Sequence, residues 1–380
     1  MKLINALCAL TLFAATSVAQ NADCRQSWMS KDTPAFCAWD KEPSLPEART
    51  YAAISLADNH IYVFGGFRYD SSKNQVIYYD SALQSTIGAD GHLSGWTEEP
   101  AFNGGRSGAA AATVGNCAFL AGGTSSTLSA VTYYDDVQYA KIGKDGHLSN
   151  WTKSPSHLKI PRSNLTLVAV KTDQGTFLNA VAGVTQVGPD TVHLDTVEFA
   201  KVLDNCGVSA WTIANYHLKG GRSTPQALSV RNNVVVVGGW GDLDQIDVYN
   251  DVETSSVRSD GSPSPWRIAS GRLTSGIYGH ATVLAEPKNG TGPSLLLSVG
   301  GQPGTGAYAN WISYAYVFPG IALPDAIGIW RIAGTGRLTT ARAGLTAVEW
   351  HQRLYVVGGN DAQGQYSTDV LSARFDMGLP

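Results

Sequence analysis

The chain has 380 residues, 41 of them glycine; 43% are hydrophobic, only 15% are charged, and the formal net charge is −4. This composition suits a large compact globular protein and excludes a disordered chain. With no basic tail or lysine-rich run, it argues against nucleic acid as a partner.

Residues 1–19 read as a secretory signal peptide: Lys2, an apolar run beginning LINALCALTLF, and small residues Ser17, Val18 and Ala19 at the cleavage position. No other apolar stretch approaches the roughly 20 residues a membrane helix needs. The expected product is therefore secreted or periplasmic, with no membrane insertion. Residues 20–33 form an N-terminal extension. Cys24, Cys37, Cys117 and Cys206 remain, an even number that suits two disulfides. Cys24 with Cys37 is the preferred local pair, and the pairing of Cys117 and Cys206 stays open. No CxxC occurs, so zinc has little support.

From residue 34 to 380 four landmarks recur in phase. Tryptophans 39, 96, 151, 211, 266 and 330 are spaced by 57, 55, 60, 55 and 64 residues, and the near-identical turns DGHLSGW and DGHLSNW precede two of them. Apolar runs end in Gly-Gly at Gly66, Gly123, Gly239, Gly301 and Gly359, with a degenerate copy at Gly183. Arg49, Arg106, Arg222 and Arg342 each stand 16 residues before the first glycine of a pair, and Arg162 stands 21 before Gly183. Between each pair and the next Trp lies an Asp-Val segment, as in YYDDVQYAKIGKDG. Short apolar runs separated by Gly, Asp and Asn turns are the pattern of antiparallel strands, four to a unit. The Asp-Gly predicts a type I′ hairpin turn between the third and fourth strands. Repeated four-stranded units predict an all-β, six-bladed β-propeller whose Trp side chains fill the gaps between blades. The chain ends after the third strand of the last unit, so blade 6 should be closed by the N-terminal strand around Ala35 to Trp39.

The order Arg, apolar strand, Gly-Gly, Asp-Val, Trp resembles the kelch repeat, and RSGAAAATVGNCAFLAGG from Arg106 is similar to its first half. The resemblance covers essentially the whole of 34–380. It implies a propeller of the kelch type, an architecture that hosts binding modules, secreted sialic acid mutarotases and galactose-oxidase-like copper enzymes, and it does not choose among them. Blade 3 departs from the pattern with its single Gly183, and blade 5 has Ile277 or Tyr278 where the Arg would stand.

Strand alternation puts the arginines, the loops after the Gly pairs and the loops between Trp and Arg on one face, here called the Arg face. Five arginines, Arg49, Arg106, Arg162, Arg222 and Arg342, are expected around the channel mouth there, where guanidinium forks suit a carboxylate, phosphate or sulfate. The competing expectation is that each pairs with Asp136, Asp195, Asp251 or Asp369, or with backbone carbonyls, for blade packing. Departures from the repeat on the same face add Arg68, Trp240, Tyr278 and His280 as ligand-binding candidates, and aromatics beside polar groups could stack on sugars. Asp242, Asp244 and Asp247 read as solvated charge, since no Gly-turned ligand loop follows. His157, His193 and His217 join His280 on the Arg face. The paired His and Tyr with a nearby Cys that a galactose-oxidase-like copper site requires are not evident, so neither cofactor nor metal is expected. Asn150, Asn164 and Asn289 fit the glycosylation sequon.

The favoured reading is a ligand-binding module for an acidic glycan, a small anion or an acidic peptide of a protein partner. The alternative is a sugar-acting enzyme of the mutarotase or epimerase type, with Asp70, Asp242 or His280 as proton carrier.

Overall fold

The computed structural model describes residues 24–378 apart from 26, 28, 128, 244 and 305, with the backbone alone at 242–247. The signal peptide reading lies outside the described residues. All described regular elements are strands, and six antiparallel four-stranded sheets succeed one another along the chain as the blades of a propeller. Blade 1 shows the plan: Ala53–Ala57 innermost, then His60–Phe64, Ala82–Thr86 and the short outer Thr97–Glu99. The inner strands Ala53–Ala57, Ala110–Val114, Thr166–Thr172, Gln226–Val230, Ala281–Ala285 and Thr346–Trp350 neighbour one another around the axis.

Both faces of each sheet are apolar because each packs on a neighbouring blade, and the core divides into clusters at these junctions. The Trp of one blade reaches the blade before it. Trp151 meets Phe64 edge-on at 5.3 Å, and its indole N–H donates to the carbonyl of Pro100 at 2.9 Å. Trp96 donates to Pro43, Trp266 to Tyr216 and Trp39 to Gly336. The last of these links is made by the N-terminal segment, so the closing joint copies the internal ones.

Blade 6 is completed from the N-terminus, though Trp39 divides the closing strand. Ala35–Phe36 and Asp40–Lys41 pair separately with Val370–Asp376. Two disulfides are present. Cys24–Cys37 anchors the clasp, and Cys117–Cys206 joins the second strand of blade 2 to the turn of blade 3.

The repeated turn differs from expectation. Gly91 donates to Gly88 and is left-handed at φ 83°, whereas Asp90 is not left-handed. Only one positive φ is needed, so this is a turn closed by a glycine bulge and not type I′. The glycine lies against the second strand of the preceding blade: a Cβ on Gly91 would meet Arg353, and one on Gly146 would meet His60. Tyr355 and Tyr62 donate to the carbonyls of these two glycines, both at 2.6 Å. In blade 3 the same position is Cys206, at φ 69°, where its side chain forms the disulfide to Cys117. His92 and His147 are partners of Glu42 and Glu99 in the preceding blade, whose carboxylates also accept from the amides of Leu93 and Leu148. These turns recur because each is a joint between blades.

Candidate functional site

Two residues after each Arg, or after Ile277 in blade 5, the chain turns left-handed: Tyr51, Gly108, Asn164, Thr224, Gly279 and Gly344 have φ between 49° and 62°. Their peptide groups form a ring around the axis at the Arg face. Tyr51 donates to Gly344, Gly108 to Tyr51, Asn164 to Gly108, Thr224 to Asn164 and Gly344 to Gly279, over 2.7–3.0 Å. The ring narrows the channel mouth, and five of its six steps are bonded; no bond joins Gly279 to Thr224, at the junction of blades 4 and 5. Thr224 is the least comfortable member. It is β-branched in a left-handed conformation, and its buried hydroxyl has no hydrogen-bond partner. Replacing Thr224 with the glycine found in blades 2, 5 and 6 is expected to stabilise the fold by about 1 kcal/mol. Urea unfolding checks this, and a lower midpoint would contradict it.

Beneath the ring lies a cavity of about 130 Å³, lined by the starts of the inner strands, including Thr166, Gln226 and Thr346, and by His280. His280 is 1% exposed, and neither ring nitrogen has a protein partner. Burial lowers its pKa to about 3, which makes it a neutral imidazole.

The arginine-lined mouth is corrected by the geometry. Arg49, Arg106, Arg162, Arg222 and Arg342 occupy equivalent places, but all are buried, at 0–2% exposure. Each donates to the carbonyl of the residue that opens its own Gly pair, Ala182 in blade 3. Arg106, Arg222 and Arg342 pair with Asp136, Asp251 and Asp369, Arg222 also with Glu253, and Arg162 with Glu198. Arg49 has no carboxylate; it bonds Ser81 and stacks on Tyr79 at 4.3 Å. The physical reason is that the Gly pair turns back over the guanidinium and seals it inside the blade. Asp195, expected beside Arg162, instead meets His217 at 3.3 Å.

What faces the mouth is aromatic. The Tyr51 ring extends across it, close enough that a Cβ on Gly344 would meet the ring at 2.9 Å and one on Gly279 would meet the hydroxyl at 3.3 Å. Burial raises the Tyr51 pKa, and Tyr278 and Tyr308 add to the shift. On one side Phe67 stacks on Tyr51 at 6.2 Å and touches Tyr78 and Tyr366, both at 5.9 Å. On the other, Trp240 lies 5.0 Å from His193 and 5.8 Å from Tyr278. Tyr51 and Tyr278 stand just before the inner strands of blades 1 and 5, and the other rings come from the segments that follow the Gly pairs, such as Phe67–Asp70 with Gln75–Tyr78 and Trp240–Leu243 with Gln245–Val248. Trp240, Tyr278 and His280 are thus brought together at the junction where the ring is unbonded. Arg68 lies apart, in the blade 1 hairpin, donating to Tyr79 at 2.8 Å with Asp70 3.6 Å away. Asp70 accepts from Ser72 in its own hairpin turn, which holds its pKa below the usual carboxylate range.

Sequence reasoning missed Tyr51, although its signal was available: Arg-x-Gly in blades 2 and 6 becomes Arg-x-Tyr in blade 1. It also missed a groove of about 820 Å³ beside the aromatic cup, lined by Val248, Ser275, Gly276, Tyr308, Asn310 and Trp311 among others. Of the sequons, Asn150 and Asn289 are exposed, whereas Asn164 belongs to the backbone ring. No cluster of His, Cys, Asp or Glu suited to a metal ion occurs among the described residues. Nor, among them, is any helix long and apolar enough to cross a membrane.

No family model matches the chain, and no curated protein is similar to it at a significant level. Among solved structures it is similar to one titled "Structure of YjhT", with a TM-score of 0.64 and 14% identity over 88% of this chain and 99% of that one. At that identity the likeness is one of fold, and the fold it supports is the six-bladed propeller.

Proposed function

We propose that the protein is an exported propeller of the kelch type that binds a carbohydrate on its Arg face. The observation that carries this reading is the aromatic cup over the narrowed mouth, with Trp240 and Tyr278 as its walls at the blade 4–5 junction. Flat aromatic faces beside polar groups suit a pyranose ring, which presents C–H groups on one side and hydroxyls at its edge. The two disulfides agree with an oxidising compartment. Binding is favoured over turnover because the described proton carriers are poorly poised: Asp70 is held ionised within its hairpin, and His280 is neutral and enclosed.

The test is calorimetry against a panel of neutral and acidic oligosaccharides, repeated with Trp240→Ala and Tyr278→Ala. Each substitution is expected to weaken binding by about 10-fold or more. Unchanged affinity in both variants would remove the cup from the binding site. Conversion of a bound sugar on incubation, followed by proton NMR, would replace binding with catalysis as the function.

A further inference from the structure

A second set of equivalent positions circles the Arg face at its outer rim. In each blade a backbone amide just before the Arg bonds the carbonyl of a residue preceding the third strand: Phe102 to Asp80, Leu158 to Asp135, Leu218 to Asp195, Leu273 to Asn250, Leu338 to Asn310 and Leu45 to Thr368. These bonds align the rim side chains without ambiguity. In blades 2 and 3 the acceptor residue is an Asp that meets a His immediately before the Leu: Asp135 with His157 at 3.1 Å and Asp195 with His217 at 3.3 Å. In blades 4 and 5 both members change. Asp becomes Asn, His becomes Arg, and the pairs are Asn250 with Arg272 at 3.5 Å and Asn310 with Arg337 at 3.1 Å.

The double exchange removes a carboxylate and adds a permanent cation. An Asp with a His carries no net positive charge, whereas an Asn with an Arg carries one positive charge. Exposed Lys159 and Lys219 follow the pairs of blades 2 and 3, where blades 4 and 5 have Thr274 and Thr339, so charge is balanced at the rim of blades 2 and 3, whereas blades 4 and 5 each carry an arginine with no carboxylate beside it among the described residues. Arg272 and Arg337 are exposed, and among the described residues neither forms an ion pair. An amide oxygen satisfies one N–H of a guanidinium and leaves most of the fork free. The buried arginines of the same blade series, by contrast, are held by several backbone and side-chain acceptors each.

The groove of about 820 Å³ lies in this basic sector. Asn310, which orients Arg337, is one of its walls. Val248 and Ser275 line it from segments that carry Asn250 and Arg272 a few residues away. Trp311 and Tyr308 supply an apolar wall, and Gly276 lets two walls of the groove approach each other, since a Cβ there would strike the Val248 carbonyl at 2.0 Å. The same junction holds the unbonded step of the axial ring and the Trp240–Tyr278 wall.

We infer that this groove is the acidic-group subsite of the glycan site: a carboxylate or sulfate on the saccharide is held by Arg272 and Arg337 while its sugar ring lies against Trp311 and Tyr308. The inference rests on the carbohydrate reading above and adds the charge of the ligand and the place where that charge is read.

The experiment compares oligogalacturonate with its methyl ester, and a chondroitin sulfate oligosaccharide with its desulfated form, by calorimetry on the full chain. An acidic probe should bind more tightly than its neutral counterpart. Arg272→Ala with Arg337→Ala should remove about 100-fold of that difference and leave the neutral form unaffected. Asn250→Asp with Asn310→Asp keeps both arginines but restores the acids of blades 2 and 3, and should cost the acidic probe a similar factor with no loss of thermal stability. Equal binding of acidic and neutral forms, with neither double variant changing it, overturns the acidic subsite while the carbohydrate site stands. Binding of none of the four probes overturns both.

Discussion

Replacing Arg222 with methionine is expected to destabilise the protein by about 3–5 kcal/mol, because it strands buried carboxylate charge. The Arg222 and Glu253 side chains are both 0% exposed, Nη2 donates to Glu253 at 2.6 Å and Nη1 to Asp251 at 2.7 Å, and the guanidinium stacks on Tyr249 at 4.0 Å. Burial already raises the Glu253 pKa and Arg222 opposes that rise, so its removal drives the pKa further upward. A carboxyl that holds its proton more tightly folded than unfolded adds stability below its ordinary pKa and loses it as pH rises through the folded value. The deficit of the variant should therefore shrink at acid pH. Arg49, which has no carboxylate partner, should be cheaper to replace. Urea unfolding at two pH values measures both effects, and an Arg222 variant as stable as the parent would show that its ion pairs contribute nothing net. Glycan affinity of the folded variant should not change, which separates the blade arginines from Arg272 and Arg337.

The second large effect is expected at Cys117–Cys206. The bridge spans 89 residues and ties blade 2 to blade 3, so in the chain-entropy account its loss costs about 4.6 kcal/mol. The substituted residue should matter as well. Position 206 is left-handed, so Cys117→Ala with Cys206→Gly should be more stable than Cys117→Ala with Cys206→Ala by about 1 kcal/mol. Thermal unfolding of the two pairs checks this. Equal melting temperatures would mean that the backbone at 206 relaxes once the bridge is gone.

The joints between blades were legible in the sequence because each is made several times. Gly91 and Gly146 recur since the same turn abuts the same strand of the previous blade, and the Trp series recurs since each indole packs at a blade junction, four of the six, Trp39, Trp96, Trp151 and Trp266, also donating to a loop carbonyl of the blade before. The arginines recur for the same kind of reason, so the expectation that they line a ligand-binding mouth took a packing element for a site. Blade closure was legible from a missing strand. The site was harder to read because its residues meet only through ring closure: Tyr51 from blade 1 lies over Gly279 and Gly344 from blades 5 and 6. Departures from the repeat were the useful signal. Trp240, Tyr278 and His280 depart from the repeat and meet at one blade junction, and the exchange of Asp135 and His157 for Asn310 and Arg337 is a departure of the same kind at the rim.

The clasp has a directional consequence. The last strand of blade 6, Val370–Asp376, runs away from the Arg face, and Ala35–Phe36 pairs with its far end, where Arg25 also meets Asp376. Both ends of the described chain therefore lie on the side opposite the aromatic cup. A tether, domain or surface attached there would hold the propeller with its open mouth turned outward, toward whatever it is to capture.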